Sequence, residues 1–272
     1  MPKSSFTLRK DPMKKNKLQQ AVQAGRIPVG HMVWEFSTRG IAKLVESANL
    51  DFVLIDMEHS EFDVDKVADL IAWFKATDIA PFVRVPGCHY HFIARVMDGG
   101  ALGVMIPNLE TAEQARLAVN SVKYAPMGKR GVGLGGAHTD YLAPDPVAYF
   151  KESNRNTTII AQIESPVGLA NLDAIAATPG IDILWVGHFD LSQGMGIPAQ
   201  FQHPDFLAAL EQVIAATRKH NKLAGIQPST MEQAEQWVKM GFNVISWNTD
   251  SGVYGRALRG EVDALRKQVL KA

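Results

Sequence analysis

The chain has a single cysteine, Cys88. One thiol excludes an intramolecular disulfide and a multi-cysteine zinc cage, and it suggests a reducing, cytoplasmic setting. Net charge is missing too. With 28 basic and 28 acidic side chains the formal charge is zero, so no global field recruits nucleic acid or an anionic membrane surface. No window reaches the ~18 consecutive apolar residues of a membrane span. The basic N-terminal stretch, with Lys3, Arg9, Lys10, Lys14, Lys15 and Lys17, lacks the apolar core of a signal peptide. It reads as a solvated extension over about 1–13 that leads into a first helix. A Gly-x-Ser-x-Gly elbow and a Walker-type phosphate loop are also absent. The glycine run Gly131–Gly136 follows no strand and opens no evident helix, which argues against a dinucleotide fingerprint.

What is present is a rhythm. Short apolar runs at Val29–Val33, Phe52–Ile55, Ala80–Val83, Gly103–Ile106, Thr158–Ile163, Ile183–Val186, Leu223–Ile226 and Asn243–Ser246 alternate with amphipathic stretches. The latter predict helices over Thr38–Ala48, Val64–Ala76, His91–Met97, Thr111–Val119, Gly168–Ala177, Pro204–His220 and Thr230–Met240, with a last one over about 254–270. Continuous apolar strands, each followed by a helix, describe a parallel sheet buried on both faces. Eight such units in 272 residues fit one α/β domain, a closed (β/α)8 TIM barrel of ~250 residues. Ser37 or Thr38 is placed to cap the first barrel helix, and Thr111 with Gln114 resembles a capping box, as does Thr230 with Gln233. One interval breaks the rhythm: Lys123–Thr157 is rich in Gly and Pro and reads as a lid or binding loop.

In this architecture chemistry gathers after the C-terminal ends of the strands. There the sequence offers Asp56-Met-Glu58-His59, then Arg84, Gln162-Ile-Glu164, Gly187-His188-Phe189-Asp190, Gln227, and Trp247-Asn248. A lone strand-end His is often just a hydrogen-bonded loop residue. With Asp56 and Glu58 beside it, His59 suits a general base at neutral pH. Arg84 ends a buried strand and should point into the barrel mouth, where a guanidinium matches a carboxylate. Glu164 and Asp190 taken singly are ordinary loop acids. Close together they repel unless a cation joins them, and a hard oxygen-coordinated ion such as Mg2+ would take both. No lysine sits at a strand end, so a Schiff-base aldolase is poorly served. Cys88, His89 and His91 form a superficially metal-like cluster, without the further Cys or spaced His pair a site needs.

At these residues the chain resembles the HpcH/HpaI aldolase family, metal-dependent class II pyruvate aldolases typified by 4-hydroxy-2-oxoheptanedioate aldolase. The match runs over nearly the whole chain. Its most specific parts are Asp51–His59, Phe82-Val-Arg84-Val-Pro86, Lys129–Gly133, Gln162-Ile-Glu164 and Gly187–Leu191. The resemblance implies an aldehyde-lyase that makes or cleaves 4-hydroxy-2-oxo acids through a pyruvate or hydroxypyruvate enolate, using Mg2+, Mn2+ or Co2+. It implies His59 as general base, Arg84 as the group holding the pyruvyl unit, and Asp98 as the acid raising the basicity of the histidine. Glu164 and Asp190 are implied as metal ligands, and Gln162, Phe189 and Asp190 as substrate-binding positions. It further implies small 2-oxo acid and aldehyde substrates, and a homo-oligomer, a hexamer, with the C-terminal helix packed on a neighbour. Asp98 falls near a helix end, away from the rim that carries His59. The family commonly has Gly-Pro where this chain has Gly187-His188, and the bulky Phe189 follows. Trp34, Trp247 and the Gly131–Gly136 loop are candidates for shaping an aldehyde pocket and equally for ordinary packing. Two other reactions fit the same residues: oxaloacetate decarboxylation and citrate-forming enolate transfer. A non-catalytic 2-oxo-acid binder would have no need of the histidine.

Overall fold

The computed structural model describes residues 13–271; Lys3, Arg9 and Lys10 fall outside the described residues. Eight strands pair in parallel and in chain order, the first with the last, to close a barrel. They are β1 (Val29–Val33), β2 (Phe52–Asp56), β3 (Ala80–Arg84), β4 (Gly103–Ile106), β5 (Thr158–Ile163), β6 (Ile183–Val186), β7 (Leu223–Ile226) and β8 (Val244–Thr249). Around them run α1 (Lys17–Gln23), α2 (Ile41–Glu46), α3 (Val64–Lys75), α4 (Tyr90–Asp98), α5 (Ala112–Val122) and α6 (Pro146–Asn156). The second half adds α7 (Pro166–Ala170), α8 (Leu172–Ala176), α9 (His188–Gly194), α10 (Pro204–Lys219), α11 (Met231–Met240) and α12 (Asp250–Leu265). The chain is thus a (β/α)8 TIM barrel.

Period-two alternation sorts the strand residues into two cores. Val53 and Ile55 of β2 and Val83 of β3 face outward and pack with helix residues such as Leu70 and Phe74. Phe52, Leu54, Phe82, Met105, Ile160 and Trp185 face inward and fill the barrel. The same alternation, carried two residues further, sends Asp56, Arg84 and Gln162 inward above that apolar filling. The site therefore stands on a solid floor rather than over a pore.

The floor is closed from below by α1, whose Leu18 joins the inner core. Asn16 caps α1 and ties it to the opposite side of the barrel, donating from Nδ2 to Asn156 O at 2.9 Å and Thr158 Oγ1 at 3.0 Å. Lys14 donates to Thr77 O, and Lys17 pairs with Asp78 at 2.8 Å. The basic stretch is therefore docked from Lys14 onward.

Several local expectations change. The N-cap of α2 is Gly40 with no side-chain cap, so neither Ser37 nor Thr38 fills that role. Thr111 and Gln114 form the full capping box of α5, whereas at α11 Thr230 caps and Gln233 turns its amide oxygen to Ser229 N. The single helix expected over Gly168–Ala177 is divided at Asn171 into α7 and α8. The final helix starts at Asp250, earlier than expected, because Thr249 caps it through Gly252 N. The interval Lys123–Thr157 contains a 3-10 turn at Ala137–Thr139 and all of α6, whose start Asp145 caps and Pro146 presets. Joining a helix to the following strand, it starts on the face opposite the site.

Glycine makes room for the filling. A Cβ at Gly225 of β7 would sit 2.1 Å from the Trp185 ring. Gly225→Ala is therefore expected to destabilise the fold by about 1–3 kcal/mol through overpacking, read as a lower urea midpoint. An unchanged midpoint would show that the indole can shift without cost.

Candidate active site

The β2–α3 connection is organised by one buried carboxylate. Asp56 is fully enclosed, and its Oδ1 and Oδ2 accept the Arg84 fork at 2.7 Å from Nε and 2.8 Å from Nη2. The same oxygens accept the backbone N–H groups of Glu58 at 3.0 Å and His59 at 3.3 Å. Asp56 thus sets the turn carrying Glu58 and His59 and aims the arginine of the next strand. The acid nearest the imidazole is Glu58, whose Oε2 is 3.7 Å from His59 Nε2 and 3.0 Å from Arg84 Nη1. Burial pushes the Glu58 carboxyl up, Arg84 pulls it back, and the charges of Asp56 and Asp190 push it further. The Arg84 guanidinium is buried, yet its acidic neighbours Asp56, Glu58 and Glu164 hold its proton more firmly than usual.

Opposite stands Glu164, just past β5 and almost wholly buried. Its Oε1 accepts Asn108 N–H at 2.7 Å and its Oε2 accepts the Gln162 amide. Asn108 adopts a left-handed φ of 47°, tolerable for asparagine, and this turns its N–H toward Glu164. Burial pushes the Glu164 carboxyl up to about 7; the two hydrogen bonds oppose this, and the charges of Glu58 and Asp190 add to it. Gly187 lies directly beneath: a Cβ there would be 2.1 Å from Glu164 Oε2. Asp190 comes from the first turn of α9, a seven-residue helix too short to leave a periodic signal in the sequence.

These groups line a cavity of about 480 Å3 at the C-terminal end of the strands, shared by His59, Arg84, Gln162, Glu164, Phe189 and Asp190. Phe189 is 57 % exposed there and meets Phe201 edge-on at 5.1 Å. His188 turns into an aromatic cluster with Phe201 and Trp237, and burial lowers its imidazole to about 4. Trp34 also lines the cavity, whereas Trp247 lies under Arg256 at 5.9 Å. Trp34 is held by Asp250, whose Oδ2 accepts the consecutive N–H groups of Trp34, Glu35 and Phe36 at 3.3, 3.1 and 2.8 Å. A second, polar hollow of about 630 Å3 shares Trp34 and His59 and continues over Ser60 to Lys66.

Asp98 is elsewhere. It ends α4, so it lies toward the opposite end of the barrel, paired with Arg130 at 2.6 Å and accepting at its carbonyl from His138. The glycine run starts beside this pair, and Gly131 N–H reaches Tyr90 Oη at the other end of α4. Cys88 donates to Gln114 O, and burial raises its thiol to about 11. Among the described residues no group of three His, Cys, Asp or Glu side chains could by itself hold a metal ion. Two carboxylates, Glu164 and Asp190, face the cavity together. Sequence reasoning overlooked Asn108 and Asp250, which work through backbone N–H groups that side-chain patterns do not display.

Comparison with known proteins bears on the family and the fold. The family model described as HpcH/HpaI aldolase/citrate lyase matches residues 32–257. The 5-keto-4-deoxy-D-glucarate aldolase of Klebsiella pneumoniae subsp. pneumoniae is 33% identical over 253 residues, which is 93% of this chain and 97% of that protein. The crystal structure of an HpcH/HpaI aldolase from Desulfitobacterium hafniense superposes with a TM-score of 0.87 at 28% identity, covering 92% of this chain and 96% of that one. The citrate synthase SbnG gives 0.83 at 25% identity, covering 92% and 98%. No helix among the described residues is long and apolar enough to cross a membrane. The chain belongs to the HpcH/HpaI aldolase/citrate lyase family and is an enzyme of the lyase class.

Proposed function

We propose that the chain is a class II aldolase that cleaves or forms 4-hydroxy-2-oxo acids through a pyruvate or hydroxypyruvate enolate, with a divalent cation between Glu164 and Asp190. One observation carries this reading. Two carboxylates without a lysine face the same cavity as an arginine and a half-exposed histidine. Burial, with the charges of Glu58 and Asp190 added to it, pushes Glu164 up to about 7, and a cation would favour the charged carboxylate. Gly187 keeps the space for that carboxylate, and Asn108 and Gln162 hold it. When bound, Mg2+, Mn2+ or Co2+ supplies Lewis acidity to the carbonyl and carboxylate oxygens of the 2-oxo acid.

The protein groups do the rest. Arg84 receives the pyruvyl oxygens and stabilises charge as it moves onto the 2-oxo oxygen. Its Nε/Nη2 edge is taken by Asp56, so the substrate meets the Nη1/Nη2 edge. His59 takes a proton from the methyl carbon, leaving the electron pair on the enolate. That carbon attacks the aldehyde carbon, the former carbonyl oxygen takes up the proton held by His59 to become the 4-hydroxyl, and the reverse sequence cleaves the bond. Gln162 and the backbone at Phe189 and Asp190 bind the substrate, and Phe189 narrows the acceptor side. The relatives' substrate, 5-keto-4-deoxy-D-glucarate, supports a polar acceptor, for which the hollow past His59 has room. The likeness to SbnG favours one other use of the enolate, citrate-forming transfer, with oxaloacetate decarboxylation beside it.

Asp98 serves a histidine in this scheme across a subunit interface. Support comes from α12, whose only buried side chain is Asp250 and whose Tyr254, Leu258 and Leu265 are exposed. Val262, Leu265 and Val269 recur at helical spacing. A helix with these uncovered apolar side chains fits a homo-oligomer, a hexamer, in which it packs on a neighbour.

Three outcomes are expected. Mg2+ or Mn2+ should raise the melting temperature of chelator-treated protein and restore its activity, and Glu164→Gln and Asp190→Asn should remove both effects. Full turnover without metal would sink the cation. His59→Ala should bind pyruvate yet exchange its methyl protons with D2O at least ~100-fold more slowly, whereas Arg84→Ala should weaken binding and slow exchange together. Lysine at position 84 should rescue only partly, since a point charge cannot replace a fork. Proton NMR with metal and no aldehyde reads all three variants. Deletion of residues 254–272 should give smaller, inactive particles on sedimentation; an active monomer would overturn the assembly and Asp98's role in it.

A further inference from the structure

Glu58 sits against the edge of Arg84 that Asp56 leaves open. Arg84 has two bidentate edges. Asp56 fills Nε/Nη2, and at the remaining Nη1/Nη2 edge Nη1 meets Glu58 Oε2 at 3.0 Å while Nη2 has only the Met32 sulfur at 3.9 Å. Sulfur is a weak acceptor and easily displaced. Glu58 Oε2 is shut off from solvent, lies 3.0 Å from Arg84 and 3.7 Å from His59 Nε2, and accepts a well-formed hydrogen bond from neither. Its other oxygen has only the long 3.5 Å contact from Asn108 Nδ2. This carboxylate is poised between a guanidinium and an imidazole and committed to neither. Asp56 on the same loop accepts four hydrogen bonds.

We propose that Glu58 holds the place of the 2-oxo acid on Arg84 and is handed to His59 when the substrate arrives. The incoming carboxylate takes the Nη1/Nη2 edge and expels Glu58 Oε2, which needs only a small rotation to close on His59 Nε2. There it accepts a hydrogen bond from the imidazolium that forms as His59 takes the methyl proton. Substrate binding and base positioning are thereby one exchange of partners, and Glu58 closes on His59 only when there is a proton to remove. Glu58 is a positioning residue in this scheme; it does not touch the reacting carbon. The inference rests on the roles of Arg84 and His59 proposed above.

The exchange predicts a split between affinity and rate that a merely structural side chain would not give. Oxalate, planar and with its oxygens spaced as in the enolate, serves as binding probe by calorimetry in the presence of Mg2+. Pyruvate methyl exchange in D2O, followed by NMR, gives the rate. Glu58→Ala should bind oxalate about 3-fold or more tightly, because a competitor has gone, yet exchange protons at least ~10-fold more slowly. Glu58→Gln should move both quantities the same way and less far, and carries the test if the alanine variant does not fold. Glu58→Asp keeps the charge but shortens the reach, so it too should bind oxalate more tightly; a plain field effect would leave its affinity at the wild-type value and overturn the exchange. Weaker binding and slower exchange in step would make Glu58 a simple prop, and unchanged exchange would remove it from the reaction. Wild-type protein that binds no oxalate and exchanges no protons would instead overturn the aldolase reading itself.

Discussion

The Asp56–Arg84 pair is the constraint from which the site is assembled. The two residues are register partners at the ends of adjacent strands, and both side chains are enclosed. A buried ion pair contributes little net stability, since desolvation offsets the attraction, but losing one partner strands the other at a cost of about 3–5 kcal/mol. Its value here is directional. A carboxylate that fixes a guanidinium on one side and two N–H groups of its own loop on the other leaves His59 and Glu58 few alternative positions. Any change at Arg84 therefore disturbs both the fold of this corner and its chemistry, and only paired measurements of stability and binding separate the two.

Electrostatics extend that order across the barrel mouth. Asp56, Glu58 and Glu164 act on one guanidinium, with Asp190 close to the two glutamates; burial is the main cause of the upward push on Glu58 and Glu164, and neighbouring carboxylates add to it. A surplus of negative charge inside an apolar frame is not a stable arrangement by itself. The proposed cation would offset that surplus, and Gly187, Asn108 and Gln162 hold Glu164 in place through packing, a backbone N–H and a side-chain amide.

The barrel was legible because its strands are apolar on both faces and short. All eight were placed within a residue or two, apart from the longer end of β8, and the strand-end polar residues then marked the rim. Arg84, Gln162 and Glu164 could be read because inward alternation continues past the last apolar residue. What escaped has physical reasons. The helix carrying Asp190 spans two turns, too few for periodicity. The α6 segment is polar throughout its second half, Lys151–Asn156, and lies within a Gly- and Pro-rich stretch, which makes all of 123–157 read as a loop. Asp56, three residues before His59, accepts the backbone N–H of His59, while Glu58, its neighbour in sequence, is the acid nearest its ring; spacing alone does not divide those tasks.

The glycines that line the inside of the barrel carry one more consequence. Gly30 lies under Phe52, Gly103 against Phe82, Gly225 under Trp185 and Gly187 under Glu164. At Gly30, Gly103 and Gly225 the empty position on one strand faces a large side chain from the strand beside it, and Gly187, just past β6, does the same for Glu164, just past β5. Whoever redesigns this cavity for a bigger or smaller substrate cannot treat those glycines as free space, because the volume above them already belongs to a neighbour. The residues open to engineering are the ones that lean on nothing essential, Phe189 above all, and the tolerance of the pocket is decided by which side chains have a glycine beneath them.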